Sequence, residues 1–449
     1  MQTNFSLRQL QNPEIAQADE ILRRCVHCGF CTATCPTYVL RGDERDSPRG
    51  RIYLMKEMYE EEQITQPLVT HIDRCLSCLS CMTTCPSGVD YMHLVDMTRV
   101  KIEENVKRPW RQRIKRWFLS KTMPYPSRFR FLLWAGWLIR PLKPVAQALG
   151  FRGIVNALDM VPEKLPPLTL PAQENIVSAP AAPLRRVAVL QGCVQDLLQS
   201  SINQAACRLL ERHRIEVVPI TDQACCGALD HHLGKEEQAL QLARHNIDAW
   251  SAEMRKKPLD AILVTASGCG TMVKDYGALL SRDRGYADRA AAISSITYDI
   301  SEFLADFGLI APAIWSNLKI AYQSPCSLQH GQGIDREPKT LLREAGFRLV
   351  DLPEGHLCCG SAGTYSLLQP EFSTELRDRK LNHIKNLSPD IVATGNIGCL
   401  CQLKGGSSAP VVHTVELLDW ATGGPCPASI KELEGEAKPV RELIGTEPA

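Results

Sequence analysis

Two blocks of four cysteines constrain this chain more than any other feature. CVHCGFCTATCP runs over residues 25–36 and CLSCLSCMTTCP over residues 75–86, each spaced C-x2-C-x2-C-x3-C-P. Three thiolates at that spacing wrap three corners of an iron–sulfur cubane, and the fourth, followed by proline, serves the other cluster in two-cluster ferredoxins. On that rule one 4Fe–4S cluster takes Cys25, Cys28, Cys31 and Cys85, and a second takes Cys75, Cys78, Cys81 and Cys35. Soft thiolate sulfur matches iron–sulfur chemistry, and Pro36 and Pro86 end the local turn without leaving an N–H to satisfy. Zinc ribbons use two separated C-x2-C pairs, which is a different pattern.

The two blocks lie 50 residues apart, with RIYLMKEMYEEEQ between them. Ile52, Met55 and Tyr59 recur there at helical spacing. The spacing predicts a helical ferredoxin-like domain over residues 1–100 rather than a small β-hairpin one.

The remaining cysteines bring the total to 19 in 449 residues, an odd number. Disulfides fit poorly: the cysteines cluster at metal-ligand spacing, and MQTNFSLRQLQNPEIAQADE carries no apolar run for export. A reducing, cytoplasmic setting is expected. A net charge of +1 argues against a nucleic-acid partner. The nearest approach to a membrane span, Phe131 to Ile139, is about half a span long and is closed by Arg140 and Pro141.

Residues 101–184 form a basic, aromatic helical segment followed by a proline-rich linker (160–184). Lys107, Arg108, Arg111, Arg113, Lys115, Arg116, Lys121, Arg128, Arg130 and Arg140 outnumber Glu103 and Glu104. Trp110, Ile114, Trp117 and Phe118 share one helical face. Such a helix suits peripheral contact with anionic lipid on the inner face of the cytoplasmic membrane; the alternative is packing on a partner or on the chain's own core.

Residues 185–310 and 311–422 repeat each other, followed by a polar tail over 423–449. The first half offers RRVAVLQGCVQ, QACCGALD and DAILVTASGCG; the second offers LKIAYQSPCSL, HLCCGSAG and DIVATGNIGCL. Cys193 and Cys326 are 133 positions apart, as are Cys225 and Cys358, whereas Cys269 and Cys399 are 130 apart. Short apolar runs alternating with amphipathic segments predict buried parallel strands with crossover helices. The cysteines then fall at strand C-terminal ends, where open α/β sheets place their ligands. Cys193, Cys225, Cys226, Cys269, Cys326, Cys358, Cys359 and Cys399 are candidate ligands of a third iron–sulfur cluster or redox site shared between the halves. The fold class is thus α + α/β: a helical two-cluster domain followed by a duplicated cysteine-rich domain.

ILRRCVHCGFCTATCPTY, DSPRGRIYLMK, TASGCG, HLCCGSAGTY and IVATGNIGC together make residues 15–420 resemble the CCG-domain iron–sulfur subunits, in particular those of bacterial glycolate oxidases. The resemblance implies a complex with flavin-binding subunits that oxidise glycolate to glyoxylate. This chain would carry the electrons onward to quinone without itself acting on glycolate. Lactate or glycerol-3-phosphate dehydrogenase complexes, or a heterodisulfide-reductase-like thiol/disulfide activity, are the alternatives. One departure weighs against the last: where the broader family ends each half in C-x2-C, this chain has Ala266 and Asn396 at the earlier position.

Of the histidines, His27 sits inside the first cluster loop, where tuning of the cluster is one reading and a surface or structural role the other. His231, His232, His330 and His356, near the repeated cysteines, read as surface or structural. Cys207 reads as core, and Cys401 and Cys426 as bystanders. No glycine-rich phosphate cradle follows a strand, so no nucleotide or flavin site is expected.

Overall fold

The computed structural model describes residues 1–148 and 183–440, with residues 150, 155, 158 and 161 between them. The proline-rich linker expected over 160–184 lies largely outside the described residues, as do residues 441–449 of the tail.

The N-terminal part is helical, and no strand occurs among its described residues before Arg185. Local chemistry starts its main helices. Asn12 caps Pro13–Arg24 by accepting from the Glu14 N–H, and Ser47 caps Pro48–Glu61 by accepting from Gly50. In both, proline opens the first turn, where its missing N–H costs nothing. Asp90 caps Tyr91–Asn105 in the same way through the His93 N–H. The three helices bury Ile15, Ala18 and Leu22, then Ile52, Met55 and Tyr59, then Leu94, Val95 and Ile102 in one core that also takes in Cys25, Cys75 and Cys81.

From Arg185 the chain becomes α/β. Strands β1 (Arg185–Val189), β2 (Ile215–Val218), β3 (Ala261–Val264) and β4 (Thr297–Asp299) form a parallel sheet in the order β2-β1-β3-β4. After the short β5 (Ile314–Ser316), strands β6 (Lys319–Tyr322), β7 (Arg348–Asp351), β8 (Ile391–Thr394) and β9 (Val411–His413) repeat the topology as β7-β6-β8-β9, again parallel. The strand order reverses beside β1 and β3 in one half and beside β6 and β8 in the other. That reversal opens a crevice at the strand C-terminal ends.

One core runs through both halves, joining Val187, Leu209 and Leu210 to Ile320, Leu342 and Leu418. Across it, Arg208 and Arg212 both reach the buried carboxylate of Asp419. Asp419 is buried while both arginines stay partly exposed, so the carboxylate is satisfied from the other half and the two halves are tied together there. The described part of the tail packs back onto the fold. Ile430 enters the core, and β10 (Ala437–Pro439) pairs antiparallel with β5.

Candidate metal centres

Both cysteine blocks follow the same backbone path. His27 and Gly29 flank Cys28 with φ of 55° and 84°, and Ser77 and Leu79 flank Cys78 with φ of 50° and 60°. A non-glycine residue in this region costs about 1–2 kcal/mol, yet three of the four positions accept it. Alternating left-handed residues curl the backbone so that its N–H groups and the cysteines turn toward one concavity, the kind of nest that receives iron–sulfur groups.

Cys25, Cys28, Cys31 and Cys85 line one pocket, together with Tyr91 and Cys81. Cys28 is exposed and Cys31 and Cys85 are half-buried, so this site lies at the surface. Burial pushes the Cys25 thiol up and lifts Cys31 to about 11. Cys75, Cys78, Cys81 and Cys35 are all buried. Burial comes first among the influences raising Cys78 and Cys81, and Cys75 and Cys35 are charge neighbours of both. At Cys75 burial also raises the thiol, but Arg51 and Arg99 outweigh it, so ionisation becomes easier. Sets of four unpaired thiols crowded together are a donor chemistry that fits a cationic iron–sulfur core.

The repeated cysteines all reach one cavity of about 260 Å³. Within it the close sulfur contacts fall inside each half. Cys193 Sγ lies 3.2 Å from Cys225 Sγ, Cys326 Sγ 3.6 Å from Cys358 Sγ, and Cys359 Sγ 3.5 Å from Cys399 Sγ. Each loop is held by its own half: Asn246 and Tyr276 donate to the carbonyls of Cys225 and Cys226, and Gln402 donates to that of Cys359. The glycine of each CCG has φ near 90°, Gly227 at 90° and Gly360 at 88°. A Cβ at Gly360 would stand 2.6 Å from the Ser373 carbonyl oxygen, so this glycine admits the following helix rather than a ligand. Ala266 and Asn396 line the cavity, and the Asn396 amide points at Cys399 Sγ, 3.7 Å away. Cys401, read from the sequence as a bystander, also lines it. Cys207 is buried in the core, as its mid-helix position suggests.

The buried thiol set of the first domain adjoins this cavity. Leu76 and Cys78 pack against Cys358, Tyr365 and Phe372, with Cys326 alongside. Histidines stitch the seam. His330 bonds Thr83 on one side and the His356 carbonyl on the other. His231 and His232 meet the buried Asp96, which also pairs with Arg99. The histidines read as surface or structural are therefore largely interdomain contacts. Asp46 and Arg51 of the DSPRGR stretch form a buried hub beside Cys35 that the cysteine spacing does not reveal. The available signal was an arginine on the buried stripe of Met55 and Met58.

On the outer face, Trp110, Ile114, Trp117 and Phe118 are all exposed, Trp110 by 63%. The aromatic stripe thus turns away from the chain's own core, which receives Leu119, Met123, Phe129 and Leu133 instead. Among the described residues no helix is long and apolar enough to cross a membrane.

A helical dicluster domain packed on a duplicated α/β domain with cysteines at its crevices defines a class of iron–sulfur subunit. Residues 24–89 match the 4Fe-4S dicluster domain family, and residues 187–274 and 320–404 match the cysteine-rich domain family. The chain is 44% identical to the glycolate oxidase iron-sulfur subunit of Escherichia coli, covering 94% of this chain and 99% of that one. It is 31% identical to the probable glycolate oxidase iron-sulfur subunit of Bacillus subtilis, over 94% and 99%. The chain belongs to the glycolate oxidase iron–sulfur subunit family. Lactate utilization protein A of a Geobacillus species is 27% identical over 52% of this chain and 99% of that protein. A crystal structure of a hypothetical protein from Helicobacter pylori shares the fold, with a TM-score of 0.50 at 10% identity, covering 95% of this chain and 74% of that one.

Proposed function

We propose that this chain is the electron-transfer subunit of a glycolate-oxidising complex. Cys25, Cys28, Cys31 and Cys85 hold an outer 4Fe–4S cluster; Cys75, Cys78, Cys81 and Cys35 hold an inner one. The eight repeated cysteines hold a third redox site. When bound, such clusters supply one-electron chemistry, and the protein supplies position and potential.

The observation that carries this reading is continuity. The exposed Cys28 edge leads to a buried thiol set whose Cys78 packs beside Cys326 at the cavity. Flavin-binding subunits that oxidise glycolate to glyoxylate would dock at the exposed edge, and the cavity side would face the acceptor, a quinone. Met123, Val194, Leu198 and Leu229 both line the cavity and pack with Leu119, Phe129 and Leu133 of the aromatic helices Trp110–Thr122 and Pro126–Ile139, so a lipophilic acceptor could approach from a membrane surface. The exposed tryptophans and surrounding arginines support peripheral attachment to the cytoplasmic membrane's inner face.

The test is reconstitution. Alone, the loaded chain should not oxidise glycolate; with flavin-binding partners, glycolate should drive dye or quinone reduction and change the cluster EPR signals. Glycolate oxidation by the isolated chain would overturn the reading. The likeness to lactate utilization proteins favours lactate as the second substrate to try, in parallel with the same preparation.

A further inference from the structure

Arg51 is the most buried arginine among the described residues, 1% exposed, and its guanidinium ends beside the inner thiol set. Nε donates to the His71 carbonyl at 2.7 Å and Nη2 to Thr37 Oγ1 at 2.9 Å. Nη1 lies 3.7 Å from Cys35 Sγ, and its charge also acts on Cys75. Its counter-charge is shared. The fully buried Asp46 is 3.5 Å from Arg51 Nη2 but also accepts from Arg74 at 2.9 Å and meets His71 Nδ1 at 2.7 Å. Two guanidiniums therefore face the Asp46 carboxylate, and the second carboxylate nearby, Asp43, within 4.8 Å of Asp46 and His71, is taken up by Arg45 at 2.8 Å, so the hub keeps a positive excess against Cys35.

The cations near the outer set are not buried among its sulfurs. The Met1 ammonium, at the partly exposed chain start, donates to the Cys25 carbonyl at 2.5 Å and to the Arg23 carbonyl at 3.1 Å. Arg49 reaches the His27 carbonyl at 3.4 Å but is drawn off by Glu44 at 2.8 Å, and both side chains are partly exposed. Water screens such a pair strongly, whereas a charge in the interior acts at low effective dielectric.

Resting on the two-cluster reading above, we infer that Arg51 is a positioning residue for electrons. Its buried charge raises the reduction potential of the inner cluster above that of the outer one. Reduction adds one negative charge to a cluster, so an adjacent fixed cation and an N–H directed at a ligand sulfur both favour the reduced form. An electron delivered to the outer cluster by a reduced flavin then leaves it, re-oxidising it by one electron, and reduces the inner cluster by one. The flow is directed inward, toward Cys326 and the cavity. A purely structural Arg51 would hold its own helix to the helix Gln66–Asp73 that carries His71 and leave both potentials alone.

Redox titration of the full chain followed by EPR decides between these roles, after iron and sulfide analysis has counted the clusters. Fewer than two clusters in the unaltered protein would sink the two-cluster reading itself, separately from the role of Arg51. With both present, Arg51→Gln should lower the inner midpoint by at least 59 mV, which is tenfold in a one-electron equilibrium. Arg51→Lys should keep most of the potential, and Asp46→Asn should shift the inner midpoint the opposite way. The outer midpoint should hold in all three. An unmoved inner midpoint in a loaded Arg51→Gln protein overturns the inference. If that variant cannot load the inner cluster, an unmoved midpoint in Asp46→Asn does so.

Discussion

Tyr365 donates its hydroxyl hydrogen to the carbonyl oxygen of Arg74, 3.0 Å away, immediately before the first cysteine of the inner set. The tyrosine of HLCCGSAGTY thus ties the second repeat to the cluster loop. Its ring packs with Leu76, Cys78 and Phe372, and the neighbouring Gln369 also reaches toward the Asp73 carbonyl. Tyr365→Phe keeps the ring and deletes only the donor. It should cost about 0.5–1.5 kcal/mol, the net worth of one partly buried hydrogen bond. Denaturant unfolding should show that loss with unchanged iron content, because no thiol is touched.

The crossed arrangement of fourth cysteines makes a pairing prediction. Cys25→Ser and Cys85→Ser should each remove the outer cluster and leave the same residual EPR spectrum. Cys75→Ser and Cys35→Ser should each leave the other one. Iron analysis should fall by one cubane, about four iron atoms per chain, in every case, since each block's thiol triplet serves one cubane. A Cys85→Ser protein whose residual spectrum matches that of Cys75→Ser would refute the crossing.

The seam between the domains should also respond to pH. His93 lies between Asp275 (3.0 Å) and Asp90 (2.5 Å), and hydrogen bonds to these carboxylates, Asp275 first, raise it from 6.5 to about 10. A raised folded value means the protonated form is favoured by folding. The stabilisation is therefore complete below the unfolded value of about 6.5 and is lost as pH climbs through about 10. His93→Gln should be destabilised by about 2 kcal/mol near the acid end of that window, the scale of a hydrogen bond to a charged group. The gap should close toward the alkaline end. Urea midpoints of both proteins across the window check this; a constant gap would show that His93 acts without its charge.

How much of this was legible beforehand follows from the range of each interaction. Cysteine spacing and strand-length apolar runs are local, so the helical dicluster domain, the duplicated parallel sheets and the placing of Cys193, Cys269, Cys326 and Cys399 beyond strand ends could be read directly. The hub of Asp46, Arg51, His71 and Arg74 joins residues more than a helix apart, and only an arginine on an apolar stripe hinted at it. Duplication predicted equivalent cysteines but not that the close sulfur contacts stay within each half while sharing one cavity. The tail's composition hid β10, because a three-residue pairing with β5 carries no periodicity. Likewise the spacing of Trp110, Ile114 and Trp117 defined a face but not its direction, which depends on what Leu119 and Met123 meet across the fold.

That direction leads to the last prediction. Trp117, Phe131 and Trp134 are exposed, Phe131 by 75%, and Arg111, Arg113, Lys115 and Arg128 are exposed on the same two helices. Apolar area and cationic charge add at an anionic lipid surface, and the charge part weakens with salt because screening shortens to about 8 Å at physiological ionic strength. The unaltered chain should sediment with phosphatidylserine-rich vesicles, less so in high salt, and poorly with neutral phosphatidylcholine. Trp117→Glu combined with Trp134→Glu should lower that partitioning about tenfold or more, since each change removes buried ring area and adds repulsion from the lipid charge. These side chains face away from the core, so the melting temperature and cluster content should stay as they were. Equal vesicle binding by the double variant would assign the aromatic face to a protein partner instead, whose capture from the reconstituted complex would then be lost in the same variant.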